Sequence, residues 1–336
     1  SFSRSSRPFS IFDEFATSIL KKDKWDPLPS GDGQRISIRA QTNGSFFQNY
    51  SFSFTEPWLG GKKPNSLNFS AYHSIQDYST DVVDNRLDII GLNLGLGKRL
   101  RWPDDYFSMS QSISVQQYIL KNRTLVPGFS NGISKNISYR TTFSRSSIFD
   151  PIFPKTGSQF TFIGHFTPPY SLFNKKDYST MTLNEKYEWL EYFKIKLNGT
   201  WYSNPFADLV IKTHSAFGFL MDYNSVVGLP PFERFFVGGD GLMGFNMDGR
   251  EVIGLRGYAN NTLSQHLVAG GSIYSKYTLE LRYPLSLNPS STIYATGFAE
   301  AGNAWGSLGG VIDINQDTYI TAEENSNEDK LRFYTA

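Results

Sequence analysis

Eleven separate segments of this chain alternate apolar and polar residues with a period of two. At that period successive side chains of an extended strand point to opposite faces. In 35–41, Ile36, Ile38 and Ala40 fall on one face and Arg35, Ser37, Arg39 and Gln41 on the other. Segment 50–55 opposes Tyr50, Phe52 and Phe54 to Ser51, Ser53 and Thr55, and 67–72 gathers Leu67, Phe69 and Ala71 on one side. In 90–97, Ile90, Leu92, Leu94 and Leu96 stand against Gly91, Asn93, Gly95 and Gly97. Segment 107–116 sets Phe107, Met109, Ile113 and Val115 against Ser108, Ser110, Ser112, Ser114 and Gln116. The pattern returns at 133–143, 160–167, 193–202, 209–219, 278–285 and 293–301.

A packed sandwich or a membrane barrel would both alternate in this way. The segments are about ten residues long, the length of a tilted strand that crosses a bilayer. Their apolar faces are heavy in Phe, Leu, Ile and Tyr, and 16% of the chain is aromatic. The opposite faces carry Lys, Arg, Glu, Asn and His among many Ser and Gly, which suits a wet lumen. Mean hydropathy is −0.35 because half of each strand is hydrophilic. No run of roughly 18 apolar residues marks a membrane helix, and residues 1–15 lack the apolar centre of a signal peptide. These observations predict an all-β, transmembrane antiparallel β-barrel.

The connectors differ in length. Those at 98–105, 203–209 and 287–291 are short and rich in Pro, Asn, Asp and Ser, the residues of tight turns. They alternate with longer ones near 76–85, 168–191, 220–277 and 306–330. Outer-membrane barrels have short periplasmic turns and long outer loops. The 168–191 connector contains a segment able to form a short helix. Trp58, Trp102 and Trp305 fall at strand ends, where either an interfacial aromatic girdle or ordinary packing would place them.

The chemistry-bearing residues do not form a catalytic set. His73, His165, His214 and His266 are scattered, there are no cysteines, and no phosphate loop, dinucleotide fingerprint or nucleophile elbow is present. The reading is non-enzymatic, with a triad assembled from distant strands as the minor alternative. A net charge of +1 gives no electrostatic case for nucleic acid or a strongly anionic partner.

Residues 235–302 contain an ordered set of motifs. Phe236-Val237-Gly238-Gly239 precedes Leu255-Arg256-Gly257-Tyr258. Leu279-Glu280-Leu281-Arg282-Tyr283-Pro284 and Gly297-Phe298-Ala299-Glu300-Ala301-Gly302 follow. With PLPSGDG at 27–33 and TEPWLGGKK at 55–63, the chain resembles the barrel of the BamA-like outer-membrane protein assembly factors and their transporter superfamily. The resemblance covers most of the chain. It implies a sixteen-stranded family barrel, here incomplete at both ends, without the periplasmic POTRA domains. It also implies that the 220–277 loop folds into the lumen, where Arg256 meets an aromatic and an acidic residue of the inner wall.

Alternation supports that placement independently. Leu279, Leu281 and Tyr283 belong on the lipid face, so Glu280 points inward, as do Phe298 and Glu300. A turn at 288–290 would bring those three together. A guanidinium can fork onto a carboxylate and stack on an aromatic ring. Gly254 and Gly257 would allow close backbone approach. The alternative is a solvated loop arginine.

Segment 313–324 places Asp313, Asn315, Asp317, Tyr319, Thr321 and Glu324 at the spacing of a calcium loop. Thr318 stands where such loops need Gly, and a polar, acidic outer loop is the other reading. No other cofactor is expected.

The resemblance implies an insertase that promotes folding of nascent proteins in the bacterial outer membrane. Its partners would be unfolded outer-membrane clients, accessory assembly lipoproteins and membrane lipids. A two-partner-secretion or autotransporter-assembly pore shares the loop, and a passive diffusion channel is a third reading.

Overall fold

The computed structural model describes residues 33–59, 65–80, 83–124, 129–206, 208–239, 251–264, 270–288 and 290–306, and the backbone of 319–321 and 332–334. Within these, all eleven alternating segments fall on strands, each strand longer than the segment read from the sequence. They are β1 (Arg35–Asn43), β2 (Phe47–Glu56), β3 (Asn65–Asp77), β4 (Arg86–Arg99), β5 (Phe107–Lys121) and β6 (Gly132–Ser146). β7 (Gly157–Phe166), β8 (Phe193–Phe206) and β9 (Leu209–Met221) follow. Two short strands, β10 (Phe235–Val237) and β11 (Glu251–Ile253), precede β12 (Ile273–Asn288) and β13 (Ser291–Trp305). The long strands pair as neighbours in chain order into one eleven-stranded antiparallel sheet, with β9 pairing directly to β12. β14 (Tyr319–Thr321) and β15 (Arg332–Tyr334) form a separate two-stranded pair. Among the described residues β1 and β13 are the two edges of the sheet.

The two faces carry different chemistry. Leu92, Leu94 and Leu96 on β4 are each 50% exposed, beside exposed Ile113 and Val115 on β5 and Leu279, Leu281 and Tyr283 on β12. A continuous exposed apolar band of that kind suits contact with lipid and not water. The other face carries Ser, Asn, Gln and most of the charge. There Gln116 donates to the Tyr72 hydroxyl at 2.6 Å, and Asn136 donates to the Tyr192 hydroxyl at 3.2 Å.

The connectors sort by end. β8–β9 and β12–β13 are joined by two-residue connections, whereas β7–β8 and β9–β12 are joined at the opposite end. The 167–192 connector contains two single-turn helices, α1 (Tyr170–Phe173) and α2 (Leu183–Lys186). α2 starts because Thr182 and Glu185 form a reciprocal capping box. Glu185, fully outside the sheet, is held below the usual carboxylate range by the Thr182 backbone N–H and hydroxyl. At this end an apolar core packs against the inner face of the sheet and includes Leu87, Tyr118, Leu120, Leu220 and Tyr274 from the strands. Phe129, Tyr187, Leu190 and Phe232 from the connectors join it, and Tyr118 stacks on Phe232 with ring centroids 4.0 Å apart.

The face assignment has a direct test. Leu94 lies between Phe69 and Ile113 on the outward face, next to inward Asn93. Leu94→Arg should destabilise the vesicle-embedded protein by about 2–4 kcal/mol if it sits near the bilayer midplane. Asn93→Arg should cost only about 1 kcal/mol, roughly the value of the bond that Asn93 accepts from Ser114. Denaturant titration followed by tryptophan fluorescence reads both, and equal costs would contradict the assignment.

Candidate functional site

The inner wall beneath the 222–272 connector is built by β8, β9, β12 and β13, and register decides who meets whom. Glu280 pairs across to Phe298 on one side and to Lys212 on the other, while Thr278 pairs to Glu300. All share the inward face. Glu280 is buried and accepts from Lys212 Nζ at 2.9 Å and from Arg282 Nη2 at 2.6 Å. Arg282 in turn lies near the Tyr202 and Tyr294 rings.

The described parts of the connector meet this wall through two short strands. β10 and β11 run parallel, with Phe235, Phe236 and Val237 opposite Glu251, Val252 and Ile253. Phe235 also exchanges both backbone hydrogen bonds with Gly271, and the Val237 N–H donates to the Ser264 hydroxyl at 2.8 Å. Buried backbone groups thereby find partners inside the loop itself. Gly238 has φ of 125°, and a Cβ there would come within 2.6 Å of the Ala259 carbonyl oxygen. Only glycine fits.

The Leu255–Tyr258 motif follows. Leu255 is fully buried, and its N–H donates to the Gly239 carbonyl at 2.8 Å. The Arg256 N–H donates to Glu300 Oε2 at 2.9 Å. Its guanidinium carbon lies 4.2 Å over the Phe298 ring, and its Nε is 3.8 Å from Glu300 Oε1. Gly257 turns the chain with φ of 88°. Gly254 does not adopt a positive φ and instead supplies its carbonyl to Lys276 Nζ at 2.6 Å. Tyr258 is exposed, and its carbonyl accepts from Gly239.

Arg256, Phe298 and Glu300 therefore come together, and Glu280 does not join them, because Lys212 and Arg282 already occupy its oxygens. The Glu300 side chain is 4% exposed and that of Arg256 is 48% exposed. The exposed part of Arg256 faces a cavity of about 390 Å³ lined also by Lys212, Glu280, Arg282, Tyr294, Thr296 and Phe298. The backbone N–H is the short contact to Glu300; the guanidinium adds a longer ion pair and a ring contact.

A second ionic cluster fastens the loop and was not singled out from the sequence. Lys194 Nζ lies 2.7 Å from Glu251 and 3.3 Å from Glu233, and Lys196 Nζ lies 2.8 Å from Glu251. The Lys194 ammonium also sits 4.6 Å from the Phe235 ring centre. The Lys-Ile-Lys spacing on β8 was the available signal, since it turns both lysines inward. Burial alone would push the Glu251 carboxyl up; Lys194 and Lys196 outweigh it and bring the group down to about 2.

Of the other candidates, Asp313, Asn315, Asp317 and Glu324 lie outside the described residues, and of Tyr319 only the backbone is described, in β14. His266 is outside them as well. Among the described residues no group of three or more His, Asp or Glu is placed to hold a metal.

An antiparallel sheet with one exposed apolar face and one polar face is the architecture of a β-barrel protein of the bacterial outer membrane. The sequence profile of the Omp85 superfamily domain matches residues 30–319, and the chain belongs to that superfamily. Its fold is similar to the structure of BamA from Haemophilus ducreyi lacking POTRA domains 1–3, with a TM-score of 0.60 at 16% identity. That match covers 84% of this chain and 54% of the other, so the chain spans about half the length of that relative. CdiB from Escherichia coli also matches, at 11% identity over 77% of this chain and 47% of its own; its TM-score of 0.41 carries no structural argument. No curated protein sequence matches.

The Glu251 cluster predicts an acid response. Its folded-state value lies below the ordinary 4.5, so its stabilisation is complete above 4.5 and is lost as pH falls through about 2. Amide exchange at 251–255, corrected for intrinsic rate, should be flat between about pH 7 and 5 and should accelerate as pH drops toward about 2. Glu251→Gln should start looser and lose that acid-dependent change. An unchanged acid response in the variant would place the titrating group elsewhere.

Proposed function

We propose that this chain is the barrel part of an outer-membrane protein assembly factor, a non-enzymatic insertase. What supports this reading is the contact of the Leu255–Tyr258 motif with the inward face of β13, through Arg256 on Glu300 and Phe298. A passive diffusion channel has no need of a loop fastened at several points to one wall. Here the loop braces β8, β12 and β13 from inside, through Glu251, Gly254 and Arg256. That leaves the wall stiff in one sector while a strand edge elsewhere offers backbone groups to an incoming extended segment. Clients would be unfolded outer-membrane proteins. Accessory lipoproteins and the surrounding lipid would be the other partners.

The guanidinium of Arg256 contributes on the order of 1–2 kcal/mol to this brace, as a partly exposed cation–ring contact plus a solvent-screened ion pair. Arg256→Ala keeps the backbone bond to Glu300 and loses both. In cells dependent on the full-length variant, the amount of folded outer-membrane protein should fall by about fivefold or more, since about 1.4 kcal/mol corresponds to tenfold. Heat-modifiable electrophoresis of several unrelated clients measures this. Normal assembly with impaired release of one secreted partner would instead favour the two-partner-secretion reading.

A further inference from the structure

The formal charge of the whole chain is only +1, yet the charges are not shared evenly between the two faces of the sheet. On β8, β9 and β12 the inward cations are Lys194, Lys196, Lys212, Lys276 and Arg282. Register extends the same face to the far side. Arg39 pairs to Ser51, Ser51 to Tyr72, Tyr72 to Gly91 and Gly91 to Gln116, all inward. Arg35 shares that face on β1, as do Arg99 on β4 and Arg140 on β6. Against these, the long strands present only two inward carboxylates, Glu280 and Glu300.

Both carboxylates are already neutralised. Glu280 is held by Lys212 and Arg282, and Glu300 by Lys276 and Arg256. Glu233 and Glu251 of the connector offset Lys194 and Lys196. Arg35, Arg39 and Arg140 remain: all three are exposed and have no hydrogen bond or ion pair among the described residues. Arg140 has Ser112 opposite it on β5 and Gly95 beyond on β4; on its other side lie His165 on β7 and then Lys194 on β8, already paired with Glu233 and Glu251. A cavity walled by low-dielectric material and lined with one sign of charge focuses its field and concentrates counter-ions.

We propose that the lumen of this barrel selects negative charge, enriching anions and carboxylate-bearing solutes over cations. This goes beyond the assembly reading and does not depend on it, because the unpaired charge is carried by Arg35, Arg39 and Arg140, which do not line the Arg256 cavity.

The chain has no cysteine, so Ser112→Cys introduces one thiol beside Arg140, on the inward face. The full-length protein, with any cysteine elsewhere replaced and reconstituted in phospholipid vesicles, is treated with a sulfonate-bearing and a trimethylammonium-bearing methanethiosulfonate. Their rate ratio is divided by the same ratio for free cysteine. At low ionic strength the anionic reagent should be favoured about tenfold or more. The preference should shrink toward unity at about 1 M salt, where the screening length is about 3 Å. Arg140→Glu should lower the low-salt ratio, and Arg39→Glu provides an independent variant should the first fail to fold. The proposal is overturned by a corrected ratio of one or less at low salt, or by a ratio that neither substitution changes. No reaction with either reagent would mean that the lumen admits no solute, and would overturn it equally. In planar bilayers under a potassium chloride gradient, the reversal potential should carry the sign of chloride preference; potassium preference contradicts the proposal.

Discussion

Hydrocarbon offers no partner to a backbone N–H or C=O, and each such group left unpaired in it costs several kcal/mol. Every other feature of this protein follows from meeting that condition with strands. The antiparallel ladder satisfies the backbone from β2 to β12 on both sides. Once the backbone is committed to strands, side chains must alternate, and one face meets lipid while the other encloses water. The apolar band of β4, β5 and β12 and the polar wall opposite it are thus two results of one requirement. The 222–272 connector obeys the same rule by other means. Lying on the inner face, it pairs its backbone with itself through β10 and β11, with Gly271, and with the Ser264 hydroxyl.

The inner wall then acts as a template of charges at fixed spacing. Lys194 and Lys196 are two residues apart on β8, and Glu280 and Arg282 two apart on β12. Each inward position is some 7 Å from the next along its strand, given the rise per residue. A loop that docks here must present its carboxylates and its guanidinium at matching intervals. Glu251 does so by bridging two lysines at once. Arg256 does so by spanning Glu300 and Phe298, which stand two residues apart on β13. Glu280 is excluded from that arrangement because its own strand neighbour Arg282 reaches it first.

Alternation made the fold legible. Eleven segments read as strands are the eleven strands of the sheet, and parity alone placed Glu280, Phe298 and Glu300 inward. The strands outrun the segments because their ends, as in 117–121 of β5, mix apolar and polar residues on both faces where they leave the hydrocarbon. Partners across long sequence separation were less legible. Nothing local to Lys194 names Glu251, and the competition between Arg282 and Arg256 for Glu280 is decided by geometry that periodicity does not encode. Net charge misled in another way: its near-zero total sums a basic inner face with acidic rims and loops, such as Asp77, Asp104 and Asp150. Parity applied residue by residue to the charges would have exposed that segregation.

The β8–β9 and β12–β13 connections are only two residues long, whereas the connector between β9 and β12 leaves the sheet at the opposite end. A chain entering the membrane from the side of those short connections must therefore carry the whole of that connector across a medium hostile to ions. In the folded protein Glu233 and Glu251 lie beside Lys194 and Lys196, so the four form a neutral group whose charges satisfy one another. The buried cluster therefore fastens the connector to β8 while presenting no net charge to the low-dielectric surroundings.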